Sequence, residues 1–330
     1  MKDMRRRHLL GILGGAAIWP ITTRAQQSAQ QRLIGVLSQG SAHTHPTPPF
    51  RAFLERLQQK GWEVGRNLSI EWRFSEGSTE PLPRLARELV ETPVELIVTA
   101  PTEPTLAAKQ ATSNIPIVFL QVADPVQSRI VTNLARPDAN VTGMSVFAPD
   151  IAGKRLALIK EALPSTKLLS VLWNKPSKGA VLVRDEIFTA GVQLGIEIQD
   201  IGIDSASEID GALRKAVSTH AAAVVVIDDP VMQSRVEAVV QIALGLKLPL
   251  VSQSAGYANS GGLMSYGPDF NEVYRNGAEY VDRILRGAKP GDLPVQQPEK
   301  FKLLLNLKTA KTLEIEFPPQ FLARADEVIE

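Results

Sequence analysis

The chain has 330 residues, a formal net charge of +1 and no cysteine. This near-neutral balance lacks the excess of basic charge that nucleic-acid binding requires, so we expect no nucleic-acid partner. The lack of cysteine excludes disulfides, thiolate metal sites, cysteine nucleophiles and a lipid anchor on cysteine. Hydrophobic residues make up 44% of the chain and charged residues 22%, as in ordinary soluble globular proteins.

The first 25 residues have the layout of an export signal. Residues 1–7 carry four basic side chains, and residues 9–21 form an apolar run that is too short to span a bilayer comfortably. Small residues precede the expected cleavage point, so we predict cleavage after Ala25 and a periplasmic mature protein. Arg6 and Arg7 resemble a twin-arginine signal, although the general secretory route stays open. The competing interpretation is a buried N-terminal helix, which the adjacent basic residues disfavour.

Short apolar segments alternate with segments of helical period over the rest of the chain. Continuous apolar runs indicate strands buried on both faces of a parallel sheet. Alternating strands and helices predict an α/β chain with two doubly wound parallel-sheet lobes. The predicted strands cover residues 33–37, 68–74, 96–100, 115–121 and 141–146 in a first series, and residues 169–174, 196–203, 223–228, 248–252 and 263–266 in a second series.

Three helices are marked most clearly by their apolar periodicity and their end signals. They are predicted over residues 49–60, 150–163 and 269–285. Gly61 follows the first as a C-cap signal, and Pro164 stops the second. The third helix carries its apolar residues on one face and ends at Gly287.

The pairs Asp124-Pro125 and Asp229-Pro230 each follow a predicted strand. Aspartate at an N-cap followed by proline at the first helical position is a standard helix start. The same positions lie at the carboxyl ends of strands, where open α/β sheets bind ligands. The two interpretations are compatible, because a cap at that edge also faces the cleft between lobes.

Sequence motifs for catalysis or cofactor binding are missing. The chain has no phosphate-binding G-x-x-x-x-G-K-[ST] loop, no G-x-G-x-x-G after a strand, no G-x-S-x-G elbow and no H-E-x-x-H pair. We therefore expect a binding protein rather than an enzyme, with no cofactor. His43 and His45 are spaced to share a strand face, but they lie in a Thr/Pro-rich segment. A solvated loop is expected there rather than a metal site.

Short polar loops at the carboxyl ends of the strands offer the best candidates for ligand binding. Residues 99–105 contain three threonines and open a helix, whose free N–H groups suit a carboxylate. Thr99 and Thr102 are expected to donate to it. Asp228 or Asp229 would accept from an amino group. The full candidate set is Ser38, Thr99, Thr102, Gln121, Asp124, Asn174, Asp228, Asp229, Ser254 and Tyr257.

Two of these assignments keep an alternative. Asp124 competes with Asp228 and Asp229 for the amino group, because it too follows a strand. Tyr257 and Trp173 would give the ligand an apolar wall, but Trp173 suits the protein core equally well.

An ordered series of motifs resembles the substrate-binding proteins of ABC transporters related to the tryptophan/tyrosine-binding type. The resemblance spans roughly residues 32–330. It is carried by Ile-Pro-Ile-Val-Phe at residues 115–119, Asp-Pro-Val at 124–126, Asn-Val-Thr-Gly-Met-Ser at 140–145, Val-Leu-Trp-Asn at 171–174, Ile-Leu-Arg-Gly at 284–287, Asn-Leu-Lys-Thr-Ala-Lys at 306–311 and Pro-Pro at 318–319.

The resemblance implies a type I periplasmic-binding-protein fold, with two α/β lobes joined by a hinge and closing over a ligand. Residues 32–143 and 268–294 would form lobe 1, and residues 144–267 and 295–330 lobe 2. The family's threonine-rich loop at the ligand carboxylate would correspond to residues 99–105. The loop after the first strand departs from the family's usual His/Pro-containing loop, so the ligand preference need not transfer.

We interpret the chain as an exported solute-binding receptor of an ABC importer. It would bind an amino acid or a related carboxylate between the lobes, act as a monomer and dock on a permease in the inner membrane. One alternative is a periplasmic sensor that serves a signalling partner. A second is an exported α/β hydrolase, which needs a nucleophile–base pair that the sequence does not place. A cytoplasmic repressor of the same fold would need a helix-turn-helix where the signal stands.

Overall fold

The computed structural model describes residues 31–137, 140–146 and 151–330. The predicted export signal over residues 1–25 lies outside the described residues. The strands are β1 Arg32–Ser38, β2 Leu68–Phe74, β3 Leu96–Ala100, β4 Ile117–Val122, β5 Val141–Ser145, β6 Leu168–Asn174, β7 Glu197–Ile203, β8 Ala223–Val226, β9 Leu250–Ser252, β10 Met264–Pro268, β11 Phe301–Asn306 and β12 Glu327–Ile329. The helices are α1 Pro48–Gln59, α2 Leu82–Glu91, α3 Thr102–Ala111, α4 Ile151–Ala162, α5 Lys178–Leu194, α6 Ile209–Ser218, α7 Pro230–Gln233, α8 Val236–Gly245, α9 Ala255–Asn259, α10 Phe270–Leu285, α11 Leu307–Thr312 and α12 Pro319–Leu322.

Two separate sheets organise the chain into two lobes. The first has the strand order β2-β1-β3-β4-β5, and all of its pairs are parallel. The second has the order β12-β11-β10-β9-β8-β6-β7. In the first sheet β1 lies between β2 and β3, and in the second sheet β6 lies between β7 and β8. Strands are therefore added on both sides of the first strand of each series, as in doubly wound folds. The predicted fold class, two α/β lobes with parallel sheets, is confirmed.

The apolar runs that predicted the strands are buried, as two-sided sheets require. All five residues of β3 and all four of β8 are buried. Each sheet carries an apolar core on both of its faces, with helices covering it. Parallel strands are stable only when both faces are covered in this way, which explains their continuous apolar sequences.

One strand pair departs from the parallel pattern. β10 and β11 are antiparallel, with Pro268 opposite Phe301 and Met264 opposite Leu305. After β10 the chain enters the first lobe. It later returns to the second sheet at the carboxyl end of β10, so β11 must run antiparallel to β10. The sequence pattern did not predict β11 or β12, because their direction is fixed by this return and not by local periodicity.

The helix between β10 and β11 belongs to the packing of the first lobe. α10 packs on α1, where the rings of Phe50 and Tyr274 lie 5.0 Å apart, and also on β4. Gly277 allows close approach there, because a Cβ at this position would lie 2.1 Å from Leu120 Cδ2. The chain thus passes between the lobes more than once. The lobe boundaries inferred from the resemblance stay predictions.

Among the described residues, no helix is both long enough and apolar enough to cross a membrane.

Candidate ligand-binding site

The polar loops at the carboxyl ends of the strands lie where the two lobes meet. Glu103, in the first turn of α3, accepts a hydrogen bond from the backbone N–H of Lys178 at 2.6 Å across the lobes. Further along the same edge, a Cβ on Gly77 would lie 3.9 Å from a methyl group of Val231. The loops of both sheets therefore enclose one shared interface.

The N-terminus of α3 is buried at this interface and has no cap. Its N-cap position is Pro101, which makes no side-chain capping hydrogen bond. The backbone N–H groups of Thr102 and Glu103 have no acceptor among the described residues. Thr102 is only 1% exposed, so water does not replace the missing partner easily. A buried helix start with free N–H groups is suited to an anion such as a carboxylate.

The threonine hydroxyls in this loop differ in what they can still donate. Thr105 donates to the carbonyl of Pro101 at 2.7 Å, and Thr99 lies 2.7 Å from the Thr105 hydroxyl. Thr99 is therefore the donor in that pair, and its hydrogen is used. The Thr102 hydroxyl accepts from the Ala123 N–H at 3.4 Å, while its own hydrogen has no acceptor in the described chain. Of the two predicted donors, Thr102 is the one that retains a free hydroxyl hydrogen.

Asp228 presents a buried acceptor from the second lobe. One carboxylate oxygen accepts from the Gln233 amide at 2.9 Å, while Oδ1 is buried without a partner in the described residues. Burial, reinforced by the charge of Asp229, raises the Asp228 pKa to about 7. The Tyr257 hydroxyl is likewise buried and unpartnered, and burial and the Asp228 charge raise its pKa. An unpaired buried carboxylate of this kind is suited to a ligand cation.

The neighbouring Asp229 is already occupied by protein groups. Its Oδ1 accepts from the Met232 N–H at 2.9 Å, which caps α7. Its Oδ2 accepts from the Asn174 amide at 2.5 Å. Burial is the main cause that raises the Asp229 pKa to about 6. The structure therefore brings Asn174 and Asp229 together as a capping pair and leaves Asp228 as the free acceptor.

Two glutamines from the first lobe also reach this region. Gln121 has a positive φ of 59° and its amide oxygen accepts from the Tyr274 hydroxyl at 3.1 Å. Gln39, which the sequence analysis missed, is 1% exposed and donates to the Gly77 carbonyl at 3.1 Å. Its amide oxygen is buried without a partner in the described residues. Its position directly after β1 was the only sequence signal that would have found it.

The remaining predicted residues have local structural roles. Ser38 accepts from the Gly40 N–H at 3.1 Å, and Asp124 Oδ1 accepts from two backbone N–H groups of the following turn. Ser254 is the N-cap residue of α9, without a side-chain bond to it. Trp173 donates its indole N–H to Asp200 on the neighbouring strand and packs against the core of the second lobe. Whether these residues meet a ligand stays a prediction.

His45 does not lie in a solvated loop, so that expectation was wrong. Its ring centroid lies 3.9 Å from that of Trp72, 5.1 Å from that of Phe74 and 5.2 Å from that of Phe50. His45 thus packs against two rings of β2 and one ring of α1, and burial lowers the pKa of His45. His43 remains exposed. The described residues contain no group of three or more side chains that could hold a metal ion.

A small cavity of about 20 Å³ lies beside the passages between the lobes. It is lined by residues of both lobes, including Asp124, Arg155 and Glu186. Arg155 is buried and donates to the Tyr266 carbonyl at 2.9 Å, and burial lowers its pKa to about 10. Burial raises the pKa of Glu186 to about 7 despite the nearby guanidinium. The volume corresponds to about one water molecule.

Comparison with known proteins agrees with this two-lobed binding architecture. The chain has the fold of type I periplasmic binding proteins. Residues 48–329 match the sequence model of the family described as "ABC transporter substrate binding protein". The chain therefore belongs to the ABC transporter substrate-binding protein family. Proteins of this family are binding components rather than enzymes, and they work outside the cytoplasm.

Three of the similar proteins illustrate this likeness. A tyrosine-binding protein of Clostridioides difficile strain R20291 is 27% identical over 289 residues, which are 88% of this chain and 83% of the relative. A conserved domain protein of Vibrio cholerae matches with a TM-score of 0.85 and 27% identity, over 91% of this chain and all of that one. An ABC domain from Streptococcus pneumonia in complex with L-Trp matches with a TM-score of 0.84 and 25% identity, over 91% and 100% of the two chains.

Proposed function

We propose that this protein is the receptor of an ABC importer and binds a free amino acid between its two lobes. The observation that carries the proposal is a pair of complementary, buried and unsatisfied groups on opposite lobes. Asp228 offers a carboxylate oxygen without a partner among the described residues, and the first turn of α3 offers N–H groups without acceptors. An α-amino acid carries one ammonium and one carboxylate, which match these two groups.

The electrostatics favour a zwitterion over a singly charged ligand. Burying an unpaired ion costs several kcal/mol, so each charge of the ligand needs a partner inside the cleft. The ammonium would pair with Asp228. The carboxylate would receive N–H groups from Thr102 and its neighbours, assisted by the positive end of the α3 dipole. The free hydroxyl hydrogen of Thr102 adds one donor.

Aromatic amino acids are the first candidates. A similar protein is a tyrosine-binding protein, and a similar solved domain is in complex with L-Trp. In this chain, Tyr274 bonds to Gln121 and packs on Phe50, which belongs to the cluster with Trp72 and Phe74. Through Tyr274 this aromatic cluster is continuous with the polar loop that carries Gln121.

Analogues that lack one charge test this assignment. The mature protein is melted with L-tyrosine, L-tryptophan, tyramine and 3-(4-hydroxyphenyl)propionate. A ligand at about 100 times its dissociation constant stabilises the folded state by about 2.7 kcal/mol, which raises the melting temperature by several degrees. We expect a shift only with the complete amino acids. If tyramine or the propionate raises the melting temperature as much as tyrosine does, the zwitterion assignment is wrong. If none of the common amino acids binds, the amino-acid proposal fails.

Export and delivery to a permease belong to the same proposal. The support is the basic segment at residues 1–7, the apolar run at residues 9–21 and the small residues before Gln26. Proteins of this family also act outside the cytoplasm. We expect the mature protein to begin at Gln26, to fractionate with the periplasm and to be a monomer. Replacing Arg6 and Arg7 together by lysine should trap the precursor if export uses the twin-arginine route. N-terminal sequencing that finds Met1 on the functional protein contradicts the proposal.

A further inference from the structure

We propose that Glu103 is the residue that holds the two lobes together, by capping a helix of the opposite lobe. Its side chain acts as a positioning group rather than as a ligand contact. Glu103 belongs to α3 of the first lobe, yet its Oε1 accepts from the backbone N–H of Lys178 at 2.6 Å and of Gly179 at 3.4 Å. These are the first N–H groups of α5 in the second lobe.

The α5 terminus is built for this contact. Its own N-cap, Ser177, accepts from the Ala180 N–H at 3.2 Å and leaves the two preceding N–H groups to Glu103. A carboxylate at the positive end of a 17-residue helix gains from both hydrogen bonds and the helix dipole. Glu103 is 7% exposed, so water screens the contact little.

Gly179 permits the close approach. A Cβ at this position would lie 3.1 Å from the Thr102 hydroxyl oxygen and 3.7 Å from Ala123 Cβ. Both neighbours belong to the first lobe, and Thr102 directly precedes Glu103. The helix start that would hold a ligand carboxylate and the side chain that caps α5 are thus the same turn of α3.

The contact also adjoins the capping pair of the second lobe. The charge of Glu103 is one of the causes that raise the Asp229 pKa. Asp229 in turn is bonded to Asn174, three residues before Ser177. The like charges of Glu103 and Asp229 oppose closure, whereas the two N–H groups of α5 favour it. Hydrogen bonds to a charged acceptor are roughly twice as strong as neutral ones, so the two N–H contacts with Glu103 favour the closed arrangement.

A disulfide-trapping experiment tests this without any ligand. The chain has no cysteine of its own, so Gly77→Cys and Val231→Cys introduce a single pair across the lobes. A Cβ at Gly77 would lie 3.9 Å from Val231 Cγ2, the methyl that a cysteine sulfur would replace, so the two introduced thiols would lie close together in this arrangement. The rate of disulfide formation in the mature protein under a fixed oxidant then reports the closed fraction. Backbone strain at Gly77 is identical in every variant and cancels.

In this background we expect Glu103→Ala to slow trapping about tenfold and Glu103→Gln to slow it less, because the amide oxygen still accepts. The matched control is Glu91→Ala, which removes an exposed carboxylate from α2 of the same lobe and should leave the rate unchanged. Melting temperatures should stay close to that of the parent, because Glu103 bonds to the other lobe.

Trapping of Glu103→Ala at the parent rate, or equal slowing by Glu91→Ala, overturns the proposal. If Glu103→Ala does not fold, Glu103→Gln carries the test, and its trapping at the parent rate counts against the proposal. The experiment contains no ligand, so its failure would leave the amino-acid assignment untouched, and a failed ligand screen would leave this result standing.

Discussion

The side-chain amide of Asn174 donates to Asp229 Oδ2 at 2.5 Å and so ties the carboxyl end of β6 to the loop after β8. With Met232 bonded to the other oxygen, both carboxylate oxygens of Asp229 have protein partners. The adjacent Asp228 keeps one buried oxygen without a partner in the described chain. Two neighbouring aspartates therefore differ in function, one as a cap and the other as the proposed partner of a ligand ammonium.

Asp229→Ala should lower stability without acting directly on the ligand. The change removes the N-cap of α7 and leaves the buried Asn174 amide without its acceptor. A lost cap costs about 1 kcal/mol, and an unsatisfied buried donor adds about 1–3 kcal/mol. Denaturant unfolding of the mature protein should show a lower midpoint. An unchanged midpoint would mean that the capping pair contributes nothing to the fold.

Stability should depend on pH through Asp228. Its pKa rises from 3.8 to about 7 on folding, so the folded protein binds the proton more tightly than the unfolded chain. The contribution of the protonated Asp228 carboxyl to the stability of the folded state is complete below pH 3.8 and is lost as pH rises toward 7. The side chain of the Asp228→Asn variant cannot ionise. As pH rises between these values, the unfolding free energy of the variant should therefore increase relative to that of the parent. Urea unfolding at several pH values measures the difference, and a constant difference would show that folding does not raise the Asp228 pKa.

Thr102→Val and Thr99→Val form a matched pair on one loop. Thr102→Val removes the only one of the two hydroxyls with a free hydrogen, so we expect ligand affinity to fall by roughly three- to tenfold, about 1 kcal/mol. Thr99→Val removes the bond to Thr105 and should act on melting temperature first. Calorimetric titration and melting of both variants separate the effects. Equal affinity losses would mean that both hydroxyls act in the same way.

The fold itself offers a test at Gly143. This residue has φ +154°, and a Cβ there would lie 2.1 Å from the Phe119 carbonyl oxygen. Gly143→Ala should therefore cost more than about 2 kcal/mol or prevent folding, because the conflict is with backbone. Gly211→Ala on α6 meets nothing within 4 Å and should stabilise by about 0.5–1 kcal/mol. Thermal unfolding compares the two, and a neutral Gly143→Ala would contradict the packing of β5 on β4.

The sequence allowed the prediction of features that depend on local physics. Strands such as β3 and β8 were predicted because buried parallel strands are apolar throughout, and Asp229 was predicted as a cap because Pro230 follows it. The antiparallel direction of β11 was not predictable, because it depends on the path of the chain between the lobes. The contact of Glu103 with α5 was missed for the same reason, since it joins residues 75 positions apart across the lobes.

The most direct test of the central claim is a calorimetric titration of the mature protein and its Asp228→Asn variant with the amino acid that gives the largest melting shift. We predict saturable binding by the parent that strengthens from pH 5.5 to pH 8, as the Asp228 carboxyl, with its pKa of about 7, loses its proton. The variant should bind at least about tenfold more weakly, a loss of about 1.4 kcal/mol or more, and without that pH dependence. Equal affinity of the two proteins across this range would contradict the assignment of Asp228 as the partner of the ligand ammonium.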